Sequence, residues 1–379
     1  MIRRAAAVVD LSAIGANLAR VRDLAGTAAV MAVVKADAYG HGMAPVARTA
    51  RRAGVEWLGV ALPSEALALR AHGDEGRVLA WLWSPGDPDI PACVRADVDL
   101  SVSSTWALAE VVSAAQRVGR RARIHIKVDT GLSRNGATLD QLGPLLAQAW
   151  EALAAGHVDI EGMWSHLADG DTPGAASVDA QRARFEEALE QAEAVGIRPR
   201  LRHLSNSGGL WAHPECRYDL VRSGIAMYGL TPSAELGTSE DLGLTPAMTL
   251  MARLAHVKGI AEGTGVSYGG TWTAPAETAV GLVPVGYADG IPRAAGNRVQ
   301  VAVAGRLHDI VGRVAMDQFV IDLGDASLPH VGDDVHVFGP GRHGEWTADR
   351  WAATLDTIGY EIVTRIGARV PREYVEEAR

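Results

Sequence analysis

Side chains that bear a primary amine are scarce in this chain. Of its 36 basic residues only three are lysines, Lys35, Lys127 and Lys258, so amine chemistry has three candidates. Lys35 directly follows the apolar run Ala32-Val33-Val34, and its stem should therefore lie against core. Burial disfavours the ammonium form, and an amine in that state can form a Schiff base with a carbonyl. Lys127 lies at the end of another strand-like run, Ala122–Val128, and Arg134 follows after Asp129-Thr130-Gly131-Leu132-Ser133. A guanidinium offers a planar fork for a carboxylate; the competing reading is a solvated loop arginine. His166 ends a third run, although a lone histidine is more often structural than catalytic.

Two further segments are small and glycine-bearing: His203-Leu204-Ser205-Asn206-Ser207-Gly208-Gly209 and Arg222-Ser223-Gly224-Ile225-Ala226. Backbone N–H groups of such loops bind phosphate. A phosphate site combined with an amine points to pyridoxal 5'-phosphate. A rival motif is Gly265-Val266-Ser267-Tyr268-Gly269, which fits the hydrolase elbow G-x-S-x-G, with Asp289 and His308 following in triad order. That elbow requires a strand turning into a helix. The continuation Gly270-Thr271-Trp272-Thr273-Ala274-Pro275 suits no helix, and the hydrolase reading is set aside. Walker A, HExxH and CxxC patterns are absent.

The elements that must position these groups are legible as periodicities. Over residues 1–242 the pattern predicts eight strands, at Val30–Val34, Trp57–Ala61, Arg77–Leu82, Val98–Val102, Ala122–Val128, Ile160–Ser165, Leu201–Ser205 and Asp219–Ser223. Amphipathic helices lie between them. One carries Leu11, Ile14, Leu18, Val21 and Leu24, opened by Asp10 and closed by Gly26; another spans Gln181–Ala194. Eight strand–helix alternations are the arithmetic of an α/β chain folded as a (β/α)8 TIM-like barrel. An open doubly wound sheet would begin with a glycine-rich crossover. Residues 243–379 change character. The expectation there is a C-terminal all-β domain, with strands at Met248–Gly259, Ala279–Val285, Arg298–Val303, His308–Val314, Phe319–Leu323 and Asp334–Phe338. A helix over Thr347–Leu355 and a last strand near Glu361–Ile366 are expected to close the chain.

Composition narrows the remaining classes. The 379 residues carry a net charge of −9, which argues against a nucleic-acid partner. Cys93 and Cys216 are too few for a disulfide framework and match no zinc spacing. The N-terminus has no long apolar run before Asp10, and no window approaches the ~18 apolar residues of a membrane span. The expectation is a cytoplasmic protein without metal or membrane.

The same residues carry a family resemblance. Val34-Lys35-Ala36-Asp37-Ala38-Tyr39-Gly40-His41-Gly42 resembles the cofactor-lysine signature of alanine racemases. Lys127 to Arg134, Arg222 to Gly229, Val266 to Gly269, Gly286 to Gly290, Gly312 to Asp317 and Thr357 to Glu361 resemble further blocks of that family in the same order. The resemblance implies a fold-type III pyridoxal phosphate enzyme acting as a head-to-tail homodimer with shared active sites. It implies an isomerase that interconverts L- and D-alanine and supplies D-alanine for cell-wall peptidoglycan. A broader amino-acid racemase, serine included, is the alternative. Lys35 would carry the cofactor and act as one acid/base, and Tyr268, reaching in from the partner subunit, as the other. Tyr39, Ser207, Gly224, Ile225 and Tyr360 would hold the phosphate, with Asn206 also on the cofactor. Arg222 would face the pyridine nitrogen, with His166 linking it to Tyr268. Arg134 and the Met316 backbone would receive the substrate carboxylate, and a carbamylated Lys127 would orient Arg134. Tyr287 would lie on the substrate's path, with Asp171, His203 and Arg293 along the entry corridor. A decarboxylase of this fold type would instead present a carboxylate to the ring nitrogen. Two departures stand out: Asp37 where the family often has Asn, and Ala315 where a cysteine is common.

Overall fold

The computed structural model describes residues 4–324 and 329–376. The chain opens on strand β1 (Ala5–Asp10). Eight barrel strands follow: β2 (Ala29–Val33), β3 (Trp57–Val60), β4 (Arg77–Ala80), β5 (Asp99–Val102), β6 (Ala122–Lys127), β7 (Val158–Trp164), β8 (Leu201–His203) and β9 (Leu220–Ser223). They pair in parallel in the order β8-β7-β6-β5-β4-β3-β2-β9. Backbone N–H groups of Asp219 and Arg222 donate to the carbonyls of Arg202 and Ser205, both at 3.1 Å, and all but close the cylinder between β9 and β8. All eight expected runs form strands. Their residues are buried nearly throughout, because helices cover the outside and side chains fill the inside.

Local signals hold at helix ends. The Leu11–Ala25 helix begins at Asp10, whose side chain accepts from the N–H groups of Ser12 and Ala13, and ends at Gly26 with φ 64°. The later helix begins at Ala176 rather than Gln181. No helix among the described residues is long and apolar enough to cross a membrane.

The second half contains β10 (Met248–Arg253), β11 (His256–Ile260), β12 (Gly265–Val266), β13 (Trp272–Thr273), β14 (Thr278–Val283), β15 (Gln300–Val303), β16 (Arg306–Val311), β17 (Phe319–Gly324), β18 (Asp334–Phe338) and β19 (Arg372–Val375). The expected single strand over 248–259 is broken into β10 and β11. The break lets the chain change neighbours, since β10 pairs with β1 and β18 whereas β11 pairs with β14. The last expected strand is a correction: Gly359–Thr364 is a helix that buries Ile362 and Val363. A short apolar run does not distinguish strand from helix. The small β12–β13 ribbon, β1 and β19 were not anticipated. β1 lies in the nine-stranded sheet of the second half, antiparallel to β10 and parallel to β19, and runs straight into the first barrel helix.

The barrel floor holds buried charge. Asp99, fully buried, receives Arg77 at 2.7 Å and also Arg123, while Arg77 reaches Glu161 at 3.1 Å. Burial opposes ionisation of Asp99, but His125, Arg123 and Arg77 outweigh it and hold the carboxyl below its usual range.

Candidate active site

Lys35 leaves the top of β2 and enters an unusual turn. Ala36, Asp37, Ala38 and Tyr39 all have φ of 52–55°, a left-handed helical turn made without glycine. Such residues cost roughly 1–2 kcal/mol each, so the surroundings must hold them. The Ala38 N–H donates to the Val34 carbonyl (2.9 Å) and the Gly40 N–H to Ala36 (3.0 Å). Asp37 Oδ1 accepts the Met43 N–H at 2.7 Å. Aspartate tolerates the left-handed region and supplies the same acceptor oxygen as asparagine, so this departure from the family's usual residue costs no contact. The Tyr39 ring packs on Tyr228 at 4.9 Å, and the Tyr228 hydroxyl donates to the Val33 carbonyl at 2.9 Å.

Above the barrel strands lies a cavity of ≈ 420 Å³. Of the expected residues, Lys35, Tyr39, Lys127, Arg134, His166, Asn206, Ser207, Arg222, Gly224, Ile225 and Tyr360 line it. Lys258, on β11, is exposed and does not. Trp81 and Trp164 also line the cavity, and sequence reasoning missed both. Their signal was position, just beyond β4 and at the end of β7, where a barrel keeps its chemistry. Trp164 is a shared platform: Lys127 Nζ stands 4.4 Å above its ring, Arg222 4.9 Å, and His203 stacks on it at 5.5 Å.

No aspartate or glutamate lines this cavity among the described residues, whereas two lysines and two arginines do. Burial lowers the Lys35 amine, with Arg134 adding to the effect and Glu65 opposing it. Lys127 is pushed down to about 8, by burial first and then by Arg222 and Arg134. Burial pushes Arg222 down to about 9, still a cation at neutral pH, and the carbonyls of Ser165, His203 and Leu204 accept its N–H groups at 2.8–3.0 Å. Arg222 also donates to His166 Nδ1 at 3.2 Å, which places the single imidazole proton of His166 on Nε2. A second line runs downward from Arg222 to His203 Nδ1 (3.3 Å), from His203 Nε2 to His125 Nδ1 (3.0 Å), and on towards Asp99. His203 is fully buried within the barrel, so its expected place on an entry corridor is corrected.

Burial pushes His41 down to about 4, and burial drives His166 and His203 well below the ordinary imidazole value. Below pH 6.5 the unfolded imidazoles take up protons that the folded ones refuse. Stability is therefore expected to fall as pH drops from 6.5 towards 5, at up to about 1.4 kcal/mol per pH unit for each such histidine. Urea unfolding midpoints across that window test this, and a midpoint that is flat or rises on acidification excludes it.

The cavity suits an anionic pyridoxal cofactor. Tyr39, Ser207, Gly224, Ile225 and Tyr360 all line it, with the Tyr39 and Tyr360 rings 6.1 Å apart. Ser207 Oγ already accepts the Gly224 N–H at 2.9 Å, and a Cβ at Gly224 would sit 2.5 Å from the Tyr39 hydroxyl oxygen, so only glycine leaves this cradle open. Burial raises the Tyr39 and Tyr360 phenols, keeping them as donors. Arg222 can face a ring nitrogen and Lys35 a carbonyl carbon.

Tyr268, Tyr287 and Met316 stand apart. They lie in the second half, do not line the cavity, and are 71%, 44% and 52% exposed. Ser267 Oγ donates to the Arg313 carbonyl at 2.6 Å, and the short 3-10 turn after it leads into β13 rather than a long helix. Asp289 is bound to Arg4, and His308 Nδ1 faces the Asp322 carbonyl. The hydrolase triad does not assemble.

A parallel barrel carrying an amine in a cavity lined by two lysines and two arginines, followed by an all-β domain that displays an exposed phenol, defines the class as a (β/α)8 barrel with a C-terminal β-domain. The chain belongs to the alanine racemase family: residues 9–232 match the model of the alanine racemase N-terminal domain and residues 247–374 that of the C-terminal domain. It is 53% identical over 371 residues to an alanine racemase of Beutenbergia cavernae, covering 98% of each chain. The crystal structure of alanine racemase from D-cycloserine-producing Streptomyces lavendulae superposes with a TM-score of 0.97 at 49% identity, covering 100% of this chain and 98% of that one. A Bartonella henselae alanine racemase with covalently bound pyridoxal phosphate aligns at TM-score 0.87 and 28% identity, covering 99% of this chain and 100% of that one.

Proposed function

We propose that this protein interconverts L- and D-alanine as a pyridoxal phosphate-dependent isomerase, working in the cytoplasm as a head-to-tail homodimer and supplying D-alanine for peptidoglycan. The observation that carries this reading is the cavity, lined by no acid among the described residues, that gathers Lys35, Arg134 and Arg222, while the phenol of Tyr268 is displayed elsewhere on the surface. When bound, pyridoxal phosphate supplies delocalisation for the electron pair left by a departing α-proton. The chain's residues do the rest. Tyr39, Ser207, Gly224, Ile225 and Tyr360 hold the phosphate, with Asn206 beside them. Arg222 holds its proton at the ring nitrogen, which favours proton exchange over decarboxylation. Arg134 and the Met316 backbone take the substrate carboxylate, and Tyr287 flanks the approach. Inversion needs proton transfer on both faces of the α-carbon. Lys35 Nζ serves one face, and Tyr268 Oη of a second copy of the chain serves the other, within the field of Arg222 transmitted through His166.

Purified protein is expected to be yellow. Borohydride should fix the cofactor on Lys35 and leave Lys127 and Lys258 unlabelled. L-Alanine should lose optical rotation and gain deuterium at the α-carbon, and L-serine should do so more slowly. Label on another lysine, or no α-exchange with alanine, rejects the assignment.

Lys127 is expected to react with CO2: its neutral amine nitrogen bonds to the carbon and one proton is released, giving a carbamate beside Arg134. Removing bicarbonate should then raise KM for alanine with little change in kcat, and adding it back should reverse the effect. A KM indifferent to bicarbonate argues against the carbamate.

A further inference from the structure

Glu65 is the third residue of the helix Pro63–Ala71, which follows β3. One carboxylate oxygen, Oε2, accepts the N–H groups of Ala61 (2.9 Å) and Leu62 (3.0 Å), an ordinary way to close a helix start. Its other oxygen leaves the helix altogether. Oε1 accepts the Ala36 N–H at 2.6 Å, at the first residue of the left-handed turn behind Lys35. The two segments emerge side by side, because β2 and β3 pair in parallel and the Val34 N–H donates to the Gly59 carbonyl at 2.8 Å. Helix capping alone would need only Oε2. An ionised carboxylate is purely an acceptor and satisfies all three donors at once. Glutamine cannot, because wherever its amide nitrogen lies it faces an N–H.

We propose that Glu65 is a positioning residue for Lys35: its carboxylate bridges the starts of two barrel loops and holds the strained turn that sets how the reactive amine leaves its strand. The inference rests on Lys35 being that amine. Glu65 also contributes a negative charge near Lys35 that opposes the charge of Arg134, in a cavity shared with Lys127, Arg222, the neutral imidazole of His166 and the neutral phenols of Tyr39 and Tyr360. Glu65 therefore acts on Lys35 both through the backbone and through space.

The test uses the full-length chain, as holoenzyme for turnover and stripped of cofactor for labelling. Trinitrobenzenesulfonate modifies free amines, and three lysines make peptide mapping simple. In Glu65→Gln, the half-point of Lys35 labelling is expected to move to lower pH, because the neighbour favouring the ammonium is gone. Turnover should fall by up to about a hundredfold, with KM changed far less. Glu65→Asp keeps the charge but is one methylene short, so it should lose turnover while its labelling half-point stays near that of the parent protein. Adding Ala36→Gly and Ala38→Gly to Glu65→Gln should restore turnover about tenfold, because glycine adopts positive φ without penalty. A pure helix cap would not respond to glycines in another loop. A Glu65→Gln labelling curve that superposes on the parent's, or a glycine pair that restores nothing, overturns the role of Glu65. An unmodified Lys35 in the parent protein overturns instead the reading of Lys35 as the reactive amine, and the proposal with it.

Discussion

Lys35→Ala is expected to abolish α-proton exchange, lowering the rate by at least about 10⁴-fold while the barrel stays folded. Lys35 stands at the barrel mouth rather than within the core, and its Nζ lies 6.0 Å from the centres of both the Tyr39 and Trp81 rings. Its loss removes an amine that no neighbour replaces: Lys127 is the only other lysine lining the cavity, and it lies against Trp164. Deuterium uptake into alanine and the thermal unfolding temperature check both halves of the statement. A residual rate within tenfold of the parent protein would refute the assignment of Lys35.

Tyr268→Phe is the second large effect. Conversion should fall about 10²–10⁴-fold, and equally in both directions, because the two enantiomers are equally stable and the equilibrium constant cannot shift. The asymmetry belongs to exchange without inversion. The enantiomer whose α-hydrogen faces Lys35 should still trade it for deuterium while keeping its configuration, and the other should not. Equal residual exchange for both enantiomers sinks the two-base scheme. The exposure of Tyr268 adds a sharper test. If each site takes Lys35 from one copy and Tyr268 from another, the inactive Lys35→Ala and Tyr268→Phe proteins should complement one another. Equal random mixing makes half the dimers hybrid, each with one intact site, so about a quarter of the parent activity should return. Mixtures that remain dead after verified subunit exchange place both bases within one copy.

Much of this molecule is written locally. The barrel strands are mostly apolar and buried, because a parallel sheet covered on both faces leaves little solvated surface; the charged exceptions, Arg77, Asp99, Arg123 and Glu161, pair with one another at the barrel floor. Helix ends follow Asp10 and Gly26, whose preferences act over one or two residues. Lys35, Lys127, His166, Asn206 and Arg222 could be picked out because strand ends converge at the mouth of any barrel. The β-domain was legible as a class but not in its pairing. β1 joins a sheet whose next member, β10, lies some 240 residues downstream, and no periodicity carries that information. The Gly359–Thr364 helix was misread because six residues offer too few turns to separate the two periods.

The amino-acid order by itself determined the barrel, its amine and the loops suited to phosphate, since each depends on residue type at a strand end; the phenol of Tyr268 was singled out by the family resemblance. Only the tertiary structure decided the rest. It turned four non-glycine residues left-handed behind Lys35, drew Glu65 across from the start of a neighbouring helix to hold them, buried His203 beneath Arg222, and lined the cavity with no acid among the described residues. These are contacts between segments far apart in the chain, and their free energy comes from burial and hydrogen bonding that no single stretch can supply alone.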